Sequence, residues 1–182
     1  MLGEFRLECD KWPNASLWNV GNVCPPRRFA DNRFHDVEKT LKKLKANDKY
    51  DLYMFSNGSH ITLQNARKSH DILKIIFPND KVISVDDVRA YKPSRTAYNH
   101  LLESVGKQKN PREVILISSN PFDICGAGAM GMRTIWINRT EGGWVDQLGD
   151  GPTYEAKTFS DLIKLDSMQS WMNSKVSKYY RP

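Results

Sequence analysis

The sequence predicts an α/β fold, with a mostly parallel, Rossmann-like sheet flanked by helices. Two observations carry this. Short apolar or alternating runs with strand character are separated by segments of about ten to sixteen residues with helical spacing, the pattern of βαβ units. Polar clusters also close the first and third of these runs, SNG after YDLYMF and SSN after EVILI. In parallel sheets ligands bind beyond the carboxyl ends of the strands, so these clusters should meet in one crevice.

The elements follow in order. Asp36 is expected to cap a helix running to about Ala46, with Val37, Leu41 and Leu44 recurring at i, i+4 and i+7 on its inner face. YDLYMFS (Tyr50 to Ser56) reads as a strand stopped by SNG. His60 to Ile76 reads as one helix, with Leu63, Ala66, His70 and Leu73 facing inward. KVISV is a short buried strand, and Thr96 to Val105 is a helix with Tyr98, Leu101 and Leu102 as its apolar positions. EVILIS is a third strand, a helix starts near Pro121, RTIWI is a fourth strand, and a last helical pattern covers about Ser160 to Asn173. Residues 1–33 break the rhythm, with turn-rich Asn14 to Asn22 and the breaker Pro25-Pro26-Arg27-Arg28; FRLEC (Phe5 to Cys9) alternates like a short strand.

At 182 residues, with 40% hydrophobic and 26% charged side chains, the chain has the composition of a globular domain with a sizeable core. Its apolar runs are too short for a transmembrane helix, and MLGEFRLECDKWPN lacks the apolar region of a signal peptide. Three cysteines without C-x-x-C spacing argue against a disulfide framework or a zinc site and fit a reducing, cytoplasmic setting. The net charge of +6 does not make this a nucleic-acid binder: its densest cluster, KTLKKLK, reads as the solvated face of the first helix, and no aromatic-interleaved basic motif accompanies it.

ISSNPFDICGAGAMGMRTIWINR contains a literal G-x-G-x-x-G in Gly126, Gly128 and Gly131. A dinucleotide site needs those glycines in the strand-to-helix turn, but here the strand ends near Ser118. No acidic residue closes the next strand, which ends in Asn138-Arg139. The glycines are therefore expected inside or late in the following helix, allowing it to pack closely on the sheet, and no cofactor is expected.

FSNGSH (Phe55 to His60), YKPSRTAY (Tyr91 to Tyr98) and SSNPFD (Ser118 to Asp123) occur in that order, followed by GMRTIWINR and GGWVDQLGDGPTY. Over about residues 34–165 this series resembles the haloacid dehalogenase superfamily, in its 2-haloacid dehalogenase-like (type II) branch. The resemblance implies that Ser56 and Asn57 bind substrate and nucleophile carboxylates. Lys92 would neutralise charge around the nucleophile, and Tyr98 is the tyrosine of that motif, on the substrate-binding side. Ser118 and Asp123 would support the lysine, and Asn120 would orient the site. Phosphatases of the superfamily carry two acids in the last motif to hold Mg²⁺; here serine and asparagine stand at the first of them. No metal is expected, therefore. The implied substrate is a small-molecule carboxylate, a 2-haloacid, and a homodimer is left open.

The resemblance also implies an Asp nucleophile ending a central first strand in a D-x-x-G-T-like motif, followed by a helical cap. That motif does not occur in this sequence. Asp10, after FRLEC, is the upstream nucleophile candidate, although Arg6 and Glu8 suit a doubly buried strand badly. The expected organisation is an irregular segment at 1–33, a core at 34–165 without a complete cap, and a helix end and tail at 166–182. The gap at the central strand should be filled by a substitute strand from the first thirty residues or so, be closed by the sheet, or leave the fold marginal.

Overall fold

The computed structural model describes residues 35–68, 70–144, 146, 149 and 151–167; FRLEC, Asp10 and the expected continuation of the last helix lie outside them. The described chain runs α1 (His35–Lys45), β1 (Met54–Ser56), α2 (His60–Lys68), α3 (Asp71–Ile76), β2 (Val82–Ser84), α4 (Arg95–Ser104), β3 (Ile115–Ser118), α5 (Pro121–Ala129), β4 (Arg133–Ile137), β5 (Tyr154–Ala156) and α6 (Asp161–Ser167). All pairings among them are parallel, as βαβ connections require. The strands form two half-sheets: β1 with β2, and β3, β4 and β5 in that order.

The α1 periodicity holds, with Val37, Leu41 and Leu44 all buried. Asp36 is a correction. It lies inside the first turn of α1, and its carboxylate receives the Arg139 guanidinium at 3.1 Å on both oxygens and the Phe159 N–H at 2.6 Å. It fastens α1 to the ends of β4 and β5 where a cap was expected.

The expected single helix from His60 to Ile76 is broken, with His70 in extended conformation between α2 and α3. In one continuous helix Ile72 would point about 180° away from Leu63, at ~100° per residue, and Ile76 nearly as far. The break re-aims α3 so that Ile72, Leu73 and Ile76 are buried together with Leu63. Apolar burial decides the break.

β1 ladders over three residues although seven were expected, because β2 is only Val82–Ser84 and a 3₁₀ turn at Asn79–Lys81 precedes it. β5 has no counterpart among the expected strands; it is an edge strand with exposed Tyr154 and only Ala156 buried.

The helix ends follow local chemistry. Ser94 caps α4 by accepting from the Thr96 N–H at 3.3 Å, and Pro121 opens α5 at a position where its missing N–H costs nothing. Gly131, at φ +79°, closes α5: its N–H bonds Gly128 O and the Met132 N–H bonds Ala127 O, the paired bonds of a Schellman motif.

Two apolar clusters flank the strands. On one face, Val37, Leu41 and Leu44 join Met54 of β1 to Ile135 and Ile137 of β4. On the other, Tyr98, Leu101 and Leu102 join Phe55 of β1 to Leu116 of β3 and Trp136 of β4. Each cluster thus contains residues of both half-sheets. Between β1 and β3, which share no ladder, runs a cavity of about 850 Å³. Leu52, Tyr53 and Phe55 line one side and Ile115, Leu116 and Ile117 the other, with Leu41 and Leu44 of α1 and Leu101 of α4 also on its walls. Among the described residues the sheet has not closed up.

Candidate active site

Three loops meet at the carboxyl end of this slot, and each has its main chain held by side-chain hydrogen bonds. After β1, the Ser56 hydroxyl accepts from the Gly58 N–H at 3.0 Å, while Ser84, in register with Ser56, donates to Gly58 O at 2.7 Å. After β3, Ser118 Oγ accepts from the Asn120 N–H at 3.1 Å and the Trp136 indole donates to Ser119 O at 3.2 Å. The third loop carries Lys92, between a 3₁₀ turn at Val85–Val88 and α4.

Lys92 and Asp123 are the centre. The ammonium donates to Asp123 Oδ2 at 2.9 Å, with both side chains about 95% buried, and it stands 4.7 Å from the centroid of the Phe55 ring. The other carboxylate oxygen, Oδ1, accepts from the Tyr98 hydroxyl at 2.8 Å. Tyr98 is wholly buried, and burial, followed by the Asp123 charge, pushes its phenol far above the usual tyrosine range, so it is a donor at any physiological pH. Asp123 sits in the first turn of α5, where the helix dipole also favours a negative charge. Lys92 and Asp123 both line the slot, so an ammonium anchored through one of its three N–H donors faces whatever occupies it.

Lys92, Asp123, Tyr98 and Asn57 are directly bonded into one network. Tyr98, which the family resemblance put on the substrate-binding side, has no exposed surface here and holds Asp123. Ser56 and Ser118 are buried at the strand ends with their hydroxyls bonded to loop N–H groups; the support for Lys92 comes from Asp123. Asn120 stands partly exposed at the head of α5 with no side-chain capping bond. Asp10 lies outside the described residues.

The glycines are structural, but not in the way expected. A Cβ on Gly126 would come within 2.5 Å of the Tyr98 ring and hydroxyl, so this glycine makes room for the tyrosine of α4 and not for the sheet. Gly128 is exposed with nothing near it. Sequence reasoning missed Ser84, Phe55 and Trp136. The signal for Ser84 was present, because a serine ending KVIS beside a serine ending MFS places two hydroxyls in register.

Among the described residues no group of three or more His, Cys, Asp or Glu side chains is arranged to hold a metal ion, and no helix is long and apolar enough to cross a membrane.

Comparison with known proteins agrees with this layout. The model of the haloacid dehalogenase-like hydrolase family matches residues 18–131. The (S)-2-haloacid dehalogenase 4A of Burkholderia cepacia is 35% identical over 122 residues, 67% of this chain and 47% of that protein. The (S)-2-haloacid dehalogenase of Pseudomonas sp. (strain YL) is 33% identical over 132 residues, 72% of this chain and 54% of that protein. In the crystal structure of an L-2-haloacid dehalogenase, 56% of that chain superposes on 74% of this one with a TM-score of 0.66 and 30% identity. The chain thus spans about half the length of these relatives. With three ordered motifs meeting at one slot end and the family model covering most of the described core, the chain belongs to the haloacid dehalogenase-like hydrolases, in their 2-haloacid dehalogenase branch.

Proposed function

We propose that this chain supplies the loop-bearing half of a metal-independent 2-haloacid dehalogenase, and that a carboxylate-bearing strand in the slot between β1 and β3 completes it. The observation that carries this reading is the buried Lys92 ammonium at the slot end, held by Asp123 and Phe55. In the reaction, a carboxylate oxygen attacks the carbon bearing the halogen; the C–O bond forms as the C–halogen bond breaks, and halide leaves with the electron pair. Water then adds at the carboxylate carbon of that ester. The products are the 2-hydroxy acid, a regenerated carboxylate and a proton. Lys92 offsets the charge that gathers as nucleophile and substrate carboxylates approach, while Ser56, Ser118 and Asn120 shape the loops around them.

Metal independence rests on the donor set. Both oxygens of Asp123 are engaged, one by a buried ammonium and one by a buried phenol, so a hard cation would have to displace Lys92. The slot also defines the nucleophile strand. Its walls are apolar on both helix-covered faces, which calls for a near-continuous apolar run. FRLEC, with Arg6 and Glu8, fits it badly, so Asp10 is the weaker nucleophile. Residues 34–165 are the core in this reading, a cytoplasmic setting goes with three cysteines that lack C-x-x-C spacing, and a homodimer is a matter for sedimentation.

The test is halide release from 2-chloropropionate, with and without Mg²⁺, by the 182-residue chain and by a fusion that sets the first strand and cap of a full-length relative ahead of it. We expect little or no turnover by the chain, Mg²⁺-indifferent release by the fusion, and loss of that release by orders of magnitude in Lys92→Ala. Robust release by the chain that vanishes in Asp10→Asn would move the nucleophile to Asp10. A folded but inactive fusion would favour a non-catalytic interaction module, and Mg²⁺-dependent hydrolysis of phosphoesters would favour a phosphatase.

A further inference from the structure

We propose that Asn57 is a positioning residue, whose carboxamide fixes the main chain of Lys92 and thereby aims the ammonium. Its consequence for catalysis rests on the dehalogenase reading; the clamp itself does not. Asn57 Oδ1 accepts from the Lys92 N–H at 2.8 Å, and Asn57 Nδ2 donates to the Lys92 carbonyl at 3.4 Å. One planar amide thus grips both polar groups of one residue thirty-five positions away.

The surroundings explain why the grip matters. Lys92 lies outside every ladder and helix, in the loop leading to α4. Its four-carbon stem is flexible, so pinning the ammonium to Asp123 does not fix the backbone beneath it. Asn57, in contrast, stands on a turn held from two sides. Ser56 Oγ takes the Gly58 N–H, and Ser84 Oγ donates to Gly58 O while accepting from the Asp86 N–H at 3.1 Å. The rigidity of the β1–β2 ends therefore passes through Asn57 to Lys92 and onward to Asp123 on α5, the helix that follows β3 of the other half-sheet. An amide oriented by these two bonds keeps one N–H for another contact, so a direct role in binding substrate is the alternative to exclude.

The discriminating measurement is amine acylation of the full chain by acetyl N-hydroxysuccinimide ester, followed at each lysine by mass spectrometry. In the wild type Lys92 should react more slowly than the exposed references Lys42 and Lys107. Asn57→Ala should raise Lys92 acylation severalfold while leaving the references unchanged. Unchanged Lys92 reactivity in a folded Asn57→Ala protein overturns the clamp. If the alanine variant does not fold, Asn57→Ser, which removes both prongs but keeps a polar group, carries the same expectation and the same refutation. In the strand-restored fusion the clamp predicts a fall in kcat with KM little changed; a raised KM at unchanged kcat would make Asn57 a substrate contact and overturn the positioning role. An inactive fusion would tell against the dehalogenase reading alone, since the acylation result is read without turnover.

Discussion

The two half-sheets are built differently. In β3–β4–β5, the central strand β4 is paired on both sides, and four of its five residues are buried, Thr134 through Ile137. Among the described residues, the β1–β2 half has three rungs and no strand paired on both sides. Yet the more sparsely paired half presents Asn57, and the more fully paired half presents Asp123. The halves are joined by side chains where a ladder would ordinarily do it: by the two apolar clusters and by the Asn57–Lys92–Asp123–Tyr98 network at the slot end. The lesson is that the polar site is also a structural tie. Any inner-edge N–H or C=O kept from water without a partner would cost about 1–3 kcal/mol, which makes the tie more important still.

The largest expected effect comes from cutting that tie. Lys92→Ala or Asp123→Asn leaves an uncompensated charge or a broken buried pair and should lower unfolding free energy by about 3–5 kcal/mol in urea denaturation. A loss within error of zero would mean that apolar packing alone unites the halves.

Next are two glycines of one helix with opposite expected signs. Gly126→Ala drives a methyl group into Tyr98 and should destabilise by about 1–3 kcal/mol. Gly128→Ala meets nothing and relieves the helix of a glycine, so it should stabilise by about 0.5–1 kcal/mol. Thermal melts of both variants side by side check the pair. Equal effects would show that the Tyr98 contact does not constrain α5.

A gentler probe sharpens the contrast between halves. Native-state hydrogen exchange should find the amides of β4 protected longer than those of β1 and β2, since β4 is laddered on both sides and β1 on one. Protection as strong in β1 as in β4 would argue that the slot edge is not open in solution.

The smallest effect lies at the outer side of the weaker half. The hydrogen bond from His60, at 2.7 Å, holds the Asp87 carboxyl below the ordinary value of 3.8, with His100 adding to it. A depressed folded-state pKa stabilises at pH above 3.8 and is lost as pH falls through the lower folded value. Both partners are about half exposed, so solvent screens the pair. Asp87→Asn, followed by urea denaturation across pH, should lower the neutral plateau slightly, leave the most acid values unchanged, and so flatten the acid limb by the same small amount.

Much of this was legible in the chain itself. The α/β class, the placement of β3 and β4, the inward faces of α1 and α4, and the convergence of SNG and SSN at strand ends all followed from hydrophobic period and turn chemistry, which are local properties. The Lys92 loop came from the family motifs, which named Ser56, Lys92 and Asp123 together. Other features depended on partners distant in sequence. Whether residues 60–76 form one helix or two was decided by where Ile72 and Ile76 could be buried. How far β1 extends was decided by the length of β2. Asp36 could have capped its own helix, but Arg139, 103 positions away, took its carboxylate. Tyr98 and Gly126 acquired meaning only when α4 and α5 were brought against each other, because steric fit between helices leaves no mark on the periodicity of either. Residue spacing determined which loops would meet; packing across the slot decided which atoms within them touch.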